Sequence, residues 1–296
     1  MLASGNSGLA TLPAIDVLFH PSARPAAGPC PLLPPTDAAM DAAGIARVLV
    51  SQCKRWSCER QWMCVDTRLD DVLRYTASSP RFIGLAGYNP FDIAESFREI
   101  EFAVTTHAFR GAYLHADSFR LPLTDARLYP LFAKAAELGV PVLLQSSPVP
   151  SGDLDRVTAD FPDLSLVLAQ ARPQLADLTA IAAACENVYF ALDPGALVHL
   201  IHQWTALAVA HDESSSRFLS EVFQQRCMWG SASLDWCDAL RSVNSLPLLP
   251  ETRACFLRRN AERVFALDQP AASRTPRSAL TEVLAADADP SPAEPA

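Results

Sequence analysis

Between residue 14 and about residue 267, short apolar runs alternate with stretches whose apolar residues recur at helical spacing. Eight runs read as strands buried on both faces: 14–20, 47–52, 82–89, 111–116, 141–147, 165–171, 188–192 and 227–232. Between them, residues 92–106 place Ile93, Phe97, Ile100 and Val104 on one helical face, with Glu95, Arg98 and Glu99 outward. Residues 125–138 predict a helix capped at Thr124-Asp125 and ended by Gly139. Residues 173–185 predict a helix opened by Pro173, and 250–265 a closing helix. Strand then helix, repeated eight times, predicts an α/β fold of the (β/α)8 TIM barrel type. An open doubly wound sheet would need a glycine-rich first turn, whereas the first strand runs into His20-Pro21.

Half of the 296 residues are hydrophobic, enough for one large core, so a single barrel domain over 14–267 is expected. A flexible N-terminus, 1–13, precedes it, and a Pro/Ala-rich tail, 268–296, lacks periodicity and reads as disordered. The Pro-rich stretch 21–36 follows the first strand, on the side where barrel loops build sites, and is placed to roof the pocket. The formal charge of −9 comes without a basic block, which argues against nucleic acid and anionic membrane as partners. No Lys/Arg-rich leader precedes an apolar stretch, and no apolar run approaches the roughly 20 residues of a membrane helix. Eight scattered cysteines fit reduced thiols, so a cytoplasmic protein is expected.

The strand ends carry the candidate chemistry. The first reads Ala14-Ile15-Asp16-Val17-Leu18-Phe19-His20, and strict alternation would put Asp16, Leu18 and His20 on one face. An Asp-x-His-x-His strand end would aim two imidazoles at one cation; Leu18 stands where the first would be and cannot ligate.

Several longer segments resemble the amidohydrolase-2 (amidohydrolase-related) family. They are Met40 to Ile45, Pro80-Arg81-Phe82-Ile83-Gly84-Leu85-Ala86-Gly87-Tyr88-Asn89-Pro90-Phe91, and Phe109-Arg110-Gly111-Ala112-Tyr113-Leu114-His115. Leu128-Tyr129-Pro130-Leu131-Phe132, Ala136 to Val142, Asp160 to Leu164 and Asn260-Ala261-Glu262-Arg263-Val264-Phe265 are similar to further family segments, in the family's order. The resemblance implies a metal-dependent barrel, with hydrolases and nonoxidative decarboxylases among its members. Its metal would be held by two histidines from strand one, one each from strands five and six, and an aspartate from strand eight. Carried onto this sequence, those positions hold Leu18, His20, Gln145, Gln170 and Ala232. Only His20 keeps a metal-binding side chain. Ala232 can neither ligate nor order an attacking water, the two tasks of the strand-eight aspartate.

The remaining pocket candidates are Asp16, His20, Tyr113, His115, Gln145, Gln170 and Ser231, with His20 and His115 the candidates for catalysis. Asp16 with His20 would offer a cation two ligands, too few for a catalytic site. No cofactor is expected; if one binds, it would be a single divalent Zn, Mn or Fe. Asp235, past the vacant aspartate position, reads as a helix cap. Cys53, Cys58 and Cys64 lack zinc-knuckle spacing and interleave with Trp56 and Trp62. His199 and His202 lie in a helix that reads as packed.

Three functions are weighed. The first is a noncatalytic subunit, a pseudoenzyme, in a heteromeric hydrolase, decarboxylase or oxygenase with a like-folded amidohydrolase paralogue, or a homo-oligomer. The second is a noncanonical hydrolase or lyase acting on a small carboxylate or amide without a full metal site. The third is a small-molecule binding protein.

Overall fold

The computed structural model describes residues 12–20, 34–54, 67–146, 149–169, 174–209, 221–232, 235–244, 246 and 248–269. Eight parallel strands pair in sequence order: β1 (Ala14–Phe19), β2 (Ile45–Ser51), β3 (Phe82–Gly87), β4 (Gly111–His115), β5 (Val142–Gln145), β6 (Leu166–Ala169), β7 (Val188–Leu192) and β8 (Cys227–Trp229). Helices lie between them, and the sheet curls into a nearly closed (β/α)8 barrel. Each expected strand is present; β7 keeps its expected bounds and the others differ at their ends by one to three residues.

Alternation along the strands sorts the core into two layers. Leu49, Leu85, Tyr113, Leu143, Val167, Ala191 and Met228 fill the barrel interior. Their sequence neighbours Val48, Val50, Ala86, Ala112, Leu144, Leu166 and Trp229 face the surrounding helices. β1 departs from this pattern. Ile15, Val17 and Leu18 all pack in the interior cluster, and the pairing of β1 with β2 shifts register between Asp16 and Phe19. The expectation that Asp16, Leu18 and His20 share one face through strict alternation therefore fails at this irregularity.

The expected helix at 92–106 is α3 (Ile93–His107), capped by Asp92, whose Oδ1 accepts from Glu95 N. The helix expected at 125–138 begins later, at Tyr129, with Pro130 in its first turn and no side-chain cap. The reason lies in Asp125: its carboxylate is taken by the backbone N–H and guanidinium of Arg127, which makes a separate turn before the helix.

The closing helix runs through Pro250–Ala254, a π-helical stretch Cys255–Arg259 and Asn260–Val264. Its end plugs the N-terminal mouth of the barrel: Ala261, Phe265 and Leu267 join the interior cluster, and Arg47 Nη1 donates to Leu267 O at 2.7 Å. Gly111, at the start of β4, makes room for this plug. A Cβ there would fall 2.9 Å from Leu85 Cδ2 and 3.4 Å from Phe265 Cε1.

Among the described residues, no helix is long and apolar enough to cross a membrane. The N-terminal residues 1–11, the tail from 270, the stretch 21–33, Cys58, Cys64, Gln170 and Pro173 lie outside the described residues.

Candidate functional site at the barrel mouth

The C-terminal ends of β1, β4, β5 and β8 bring several of the sequence candidates together. Tyr113 and His115 lie two apart on β4, and His115 pairs in register with Gln145 on β5. The Tyr113 hydroxyl donates to Gln145 Oε1 at 2.7 Å. The His20 ring, arriving from β1, packs against the Tyr113 ring with centroids 5.4 Å apart. His115 Nδ1 lies 2.9 Å from Ser118 Oγ, in the turn that follows β4. His20, His115 and Gln145 are half-buried and Tyr113 is buried, so the cluster forms a polar rim over an apolar interior.

Asp16 and Ser231 form a different constellation. Asp16 is fully buried and accepts four hydrogen bonds: from Ser231 N (2.8 Å), Ser231 Oγ (2.5 Å), Trp236 Nε1 (2.8 Å) and Leu18 N (3.1 Å). Burial pushes its carboxyl above the usual carboxylate range, and the donors from Ser231, Trp236 and Leu18 pull it back only in part. These bonds tie β1 to the residues that follow β8, across the barrel seam.

Leu18 completes that seam. It is 4 % exposed and lies directly on Gly230, where a Cβ would fall 2.5 Å from Leu18 Cβ and 2.6 Å from Leu18 Cγ. The apolar side chain thus occupies the space between β1 and β8 in which the family resemblance would seat an imidazole. Ala232 is exposed, with φ +52 in the left-handed region, a conformation that aspartate and asparagine tolerate better than alanine does. Asp235 Oδ1 accepts from Asp238 N, capping the helix Trp236–Asn244 as its sequence position implied.

These side chains do not fit a divalent metal. Leu18 and Ala232 offer no donor atom. The Gln145 carbonyl oxygen, the one ligating atom of that amide, already accepts from Tyr113 and carries no charge to offset a cation's. Among the described residues, no group of three or more His, Cys, Asp or Glu converges as a metal site.

Sequence reasoning missed a cavity of about 380 Å³ past the C-terminal ends of β2 and β3, lined in part by Gln52, Lys54, Asp70, Asn89, Glu95 and Glu99. Gln52 is buried, accepting from Gly87 N and donating to Glu99, which also meets Lys54 Nζ at 2.8 Å. The signal for it was the polar pair Ser51-Gln52 that follows the apolar Val48-Leu49-Val50.

The family model Amidohydrolase (Amidohydro_2) matches residues 31–267. The chain belongs to the amidohydrolase family. Solved structures share this fold. One is an uncharacterized TIM-barrel protein from Bordetella bronchiseptica, 22% identical with TM-score 0.61, covering 78% of this chain and 81% of that one. Another is 5-carboxyvanillate decarboxylase from Novosphingobium aromaticivorans, solved with manganese and 4-hydroxy-3-methoxy-5-nitrobenzoic acid. It is 17% identical with TM-score 0.56, covering 77% of this chain and 78% of that one. A third is 2,6-dihydroxybenzoate decarboxylase from Rhizobium, 16% identical with TM-score 0.58, covering 86% of this chain and 99% of that one. No curated protein matches the sequence.

Proposed function

We propose that this amidohydrolase-family barrel works without the family's metal chemistry, as a noncatalytic subunit beside a like-folded paralogue that keeps its ligands. The observation that carries the first half is Leu18 wedged onto Gly230, with its donor-free side chain filling the ligand position. The second half follows from economy: a well-packed barrel that has lost its ligands needs another use, and pairing is the simplest. The helix Pro194–Val209, whose apolar residues exceed one core stripe, offers little surface for that pairing. Leu197 and Leu200 are buried, and Ile201 and Trp204 pack on the core, which leaves Val198 exposed.

The test is coexpression with genomic neighbours of amidohydrolase type, followed by analytical ultracentrifugation and elemental analysis of each separated chain. The expected result is a stable complex with an interface of at least about 1,000 Å², and transition metal on the partner alone. A monomer that ignores every such neighbour would overturn the subunit role. Near two equivalents of metal retained on this chain after mild chelation would overturn the loss of metal chemistry.

A second reading, binding or noncanonical turnover of a small molecule, is favoured by one observation: His20, Tyr113, His115 and Gln145 still converge at the mouth. Turnover by chelator-treated pure protein would select it.

A further inference from the structure

The cavity past β2 and β3 lies between the starts of the helix Leu69–Ser78 and of α3, and none of His20, Tyr113, His115 and Gln145 lines it. Its floor is already built. Gln52 is buried, with Oε1 accepting from Gly87 N at 2.8 Å and Nε2 donating to Glu99 Oε2 at 2.9 Å. Lys54 Nζ meets the same Glu99 oxygen at 2.8 Å, so these two charges offset each other. Gly87 is required beside them, since a Cβ there would fall 2.3 Å from the Gln52 backbone oxygen and 3.1 Å from Lys54 Cγ. Three charged groups of the lining stand outside this network. Asp70 and Glu95, in the first turns of their helices, carry carboxylates with no hydrogen bond or ion pair among the described residues. Arg68 Nε lies 4.0 Å from Asp71 Oδ2, beyond hydrogen-bond distance, and the other Asp71 oxygen is held by Arg74. The uncommitted charge around the cavity is therefore one guanidinium and two carboxylates.

We propose that this cavity binds a free basic amino acid, its carboxylate on Arg68 and its two cationic groups on Asp70 and Glu95. Such a ligand carries two positive charges and one negative, the complement of the three uncommitted groups, and charge-assisted hydrogen bonds of both senses would fix its direction. Among the described residues, no three His, Cys, Asp or Glu converge as a metal site. The acids thus stand around the cavity rather than aim at one point, which suits cationic groups joined by a chain and not a single ion. Leu69 supplies apolar surface for the chain between them, and about 380 Å³ falls within the range of about 300–1,000 Å³ usual for small-ligand pockets. The site lies apart from the barrel mouth, so its test is independent of pairing with a paralogue.

The experiment is isothermal titration calorimetry of the full chain at neutral pH with L-lysine, with cadaverine, which lacks the carboxylate, and with L-norleucine, which lacks the side-chain ammonium. Lysine is expected to bind about tenfold or more tightly than either. Arg68→Gln should weaken lysine about tenfold and leave cadaverine unchanged, whereas Glu95→Gln should weaken both. Asp70→Asn should act as Glu95→Gln does, and serves where that variant does not fold. Asp177→Asn removes the same charge from the first turn of the helix Leu175–Ala184, away from the cavity lining, and should change neither affinity. Absence of lysine binding by the folded chain, equal binding of lysine and cadaverine or of lysine and norleucine, equal weakening of lysine and cadaverine by Arg68→Gln, full affinity in a folded Glu95 or Asp70 variant, or a matching loss in Asp177→Asn would each overturn the proposal.

Discussion

Single residues decide the chemistry of this barrel. Leu18, at a position where the family resemblance places a histidine, is tightly packed, so putting a histidine there has a structural cost. Leu18→His would put a polar ring into a nearly closed apolar space against Gly230. We expect a loss of about 1–3 kcal/mol in urea denaturation and no gain of metal by elemental analysis. Ala232→Asp alone suits the left-handed backbone at that position, yet it should restore no hydrolysis, because Leu18 on strand one and Gln145 on strand five still stand where the family resemblance places imidazoles. Recovered turnover in that single variant would show a more competent site than the one described. Backbone conformation also offers a gain. Ala108 ends α3 in the left-handed conformation, φ +57, and is exposed. Ala108→Gly should raise stability by about 0.5–1 kcal/mol, read as a higher melting temperature.

At the scale of elements, the seam between β1 and β8 is the place where the barrel depends on side chains. Consecutive strands from β1 to β8 are joined by backbone pairing, whereas the closure from β8 back to β1 rests on the Asp16 carboxylate and on Leu18 against Gly230. Asp16→Ala would strand the buried donors of Ser231 N, Ser231 Oγ and Leu18 N together. The expected cost is about 3 kcal/mol or more, since each orphaned buried donor costs about 1–3 kcal/mol. Equilibrium unfolding measures it, and a change below about 1 kcal/mol would show that the seam closes without Asp16.

For the whole molecule, two buried phenols govern behaviour in alkali. Burial raises both Tyr75 and Tyr88 to about 12, with Asp71 adding to the shift at Tyr75. A raised folded value means that the unfolded chain loses its phenolic protons first. The contribution of these groups to stability is intact below pH 10 and falls away as pH rises from 10 through 12. Phenolate absorbance and circular dichroism should therefore change together in that window, and Tyr88→Phe should move the transition upward. Separate transitions for the two signals would show that the phenols ionise without unfolding.

The sequence by itself determined the eightfold alternation of strand and helix, because short apolar runs between amphipathic stretches can be buried only in a sheet covered on both faces. It also put Leu18, Gln145 and Ala232 where the family resemblance places ligands, since residue type alone decides whether a side chain can ligate. Tertiary structure decided the rest. Periodicity put Asp16 with His20, but the register shift in β1 gave Asp16 to Ser231 and Trp236, partners 215 and 220 residues away. The helix Pro194–Val209, which reads as packed from its sequence, owes its partners to the fold: Leu197 and Leu200 are buried, and Ile201 and Trp204 pack on the core. The sense of the Gln145 amide was equally beyond the sequence. Either end of a carboxamide can face a site, and here the oxygen accepts from the Tyr113 hydroxyl, 32 residues away on the neighbouring strand.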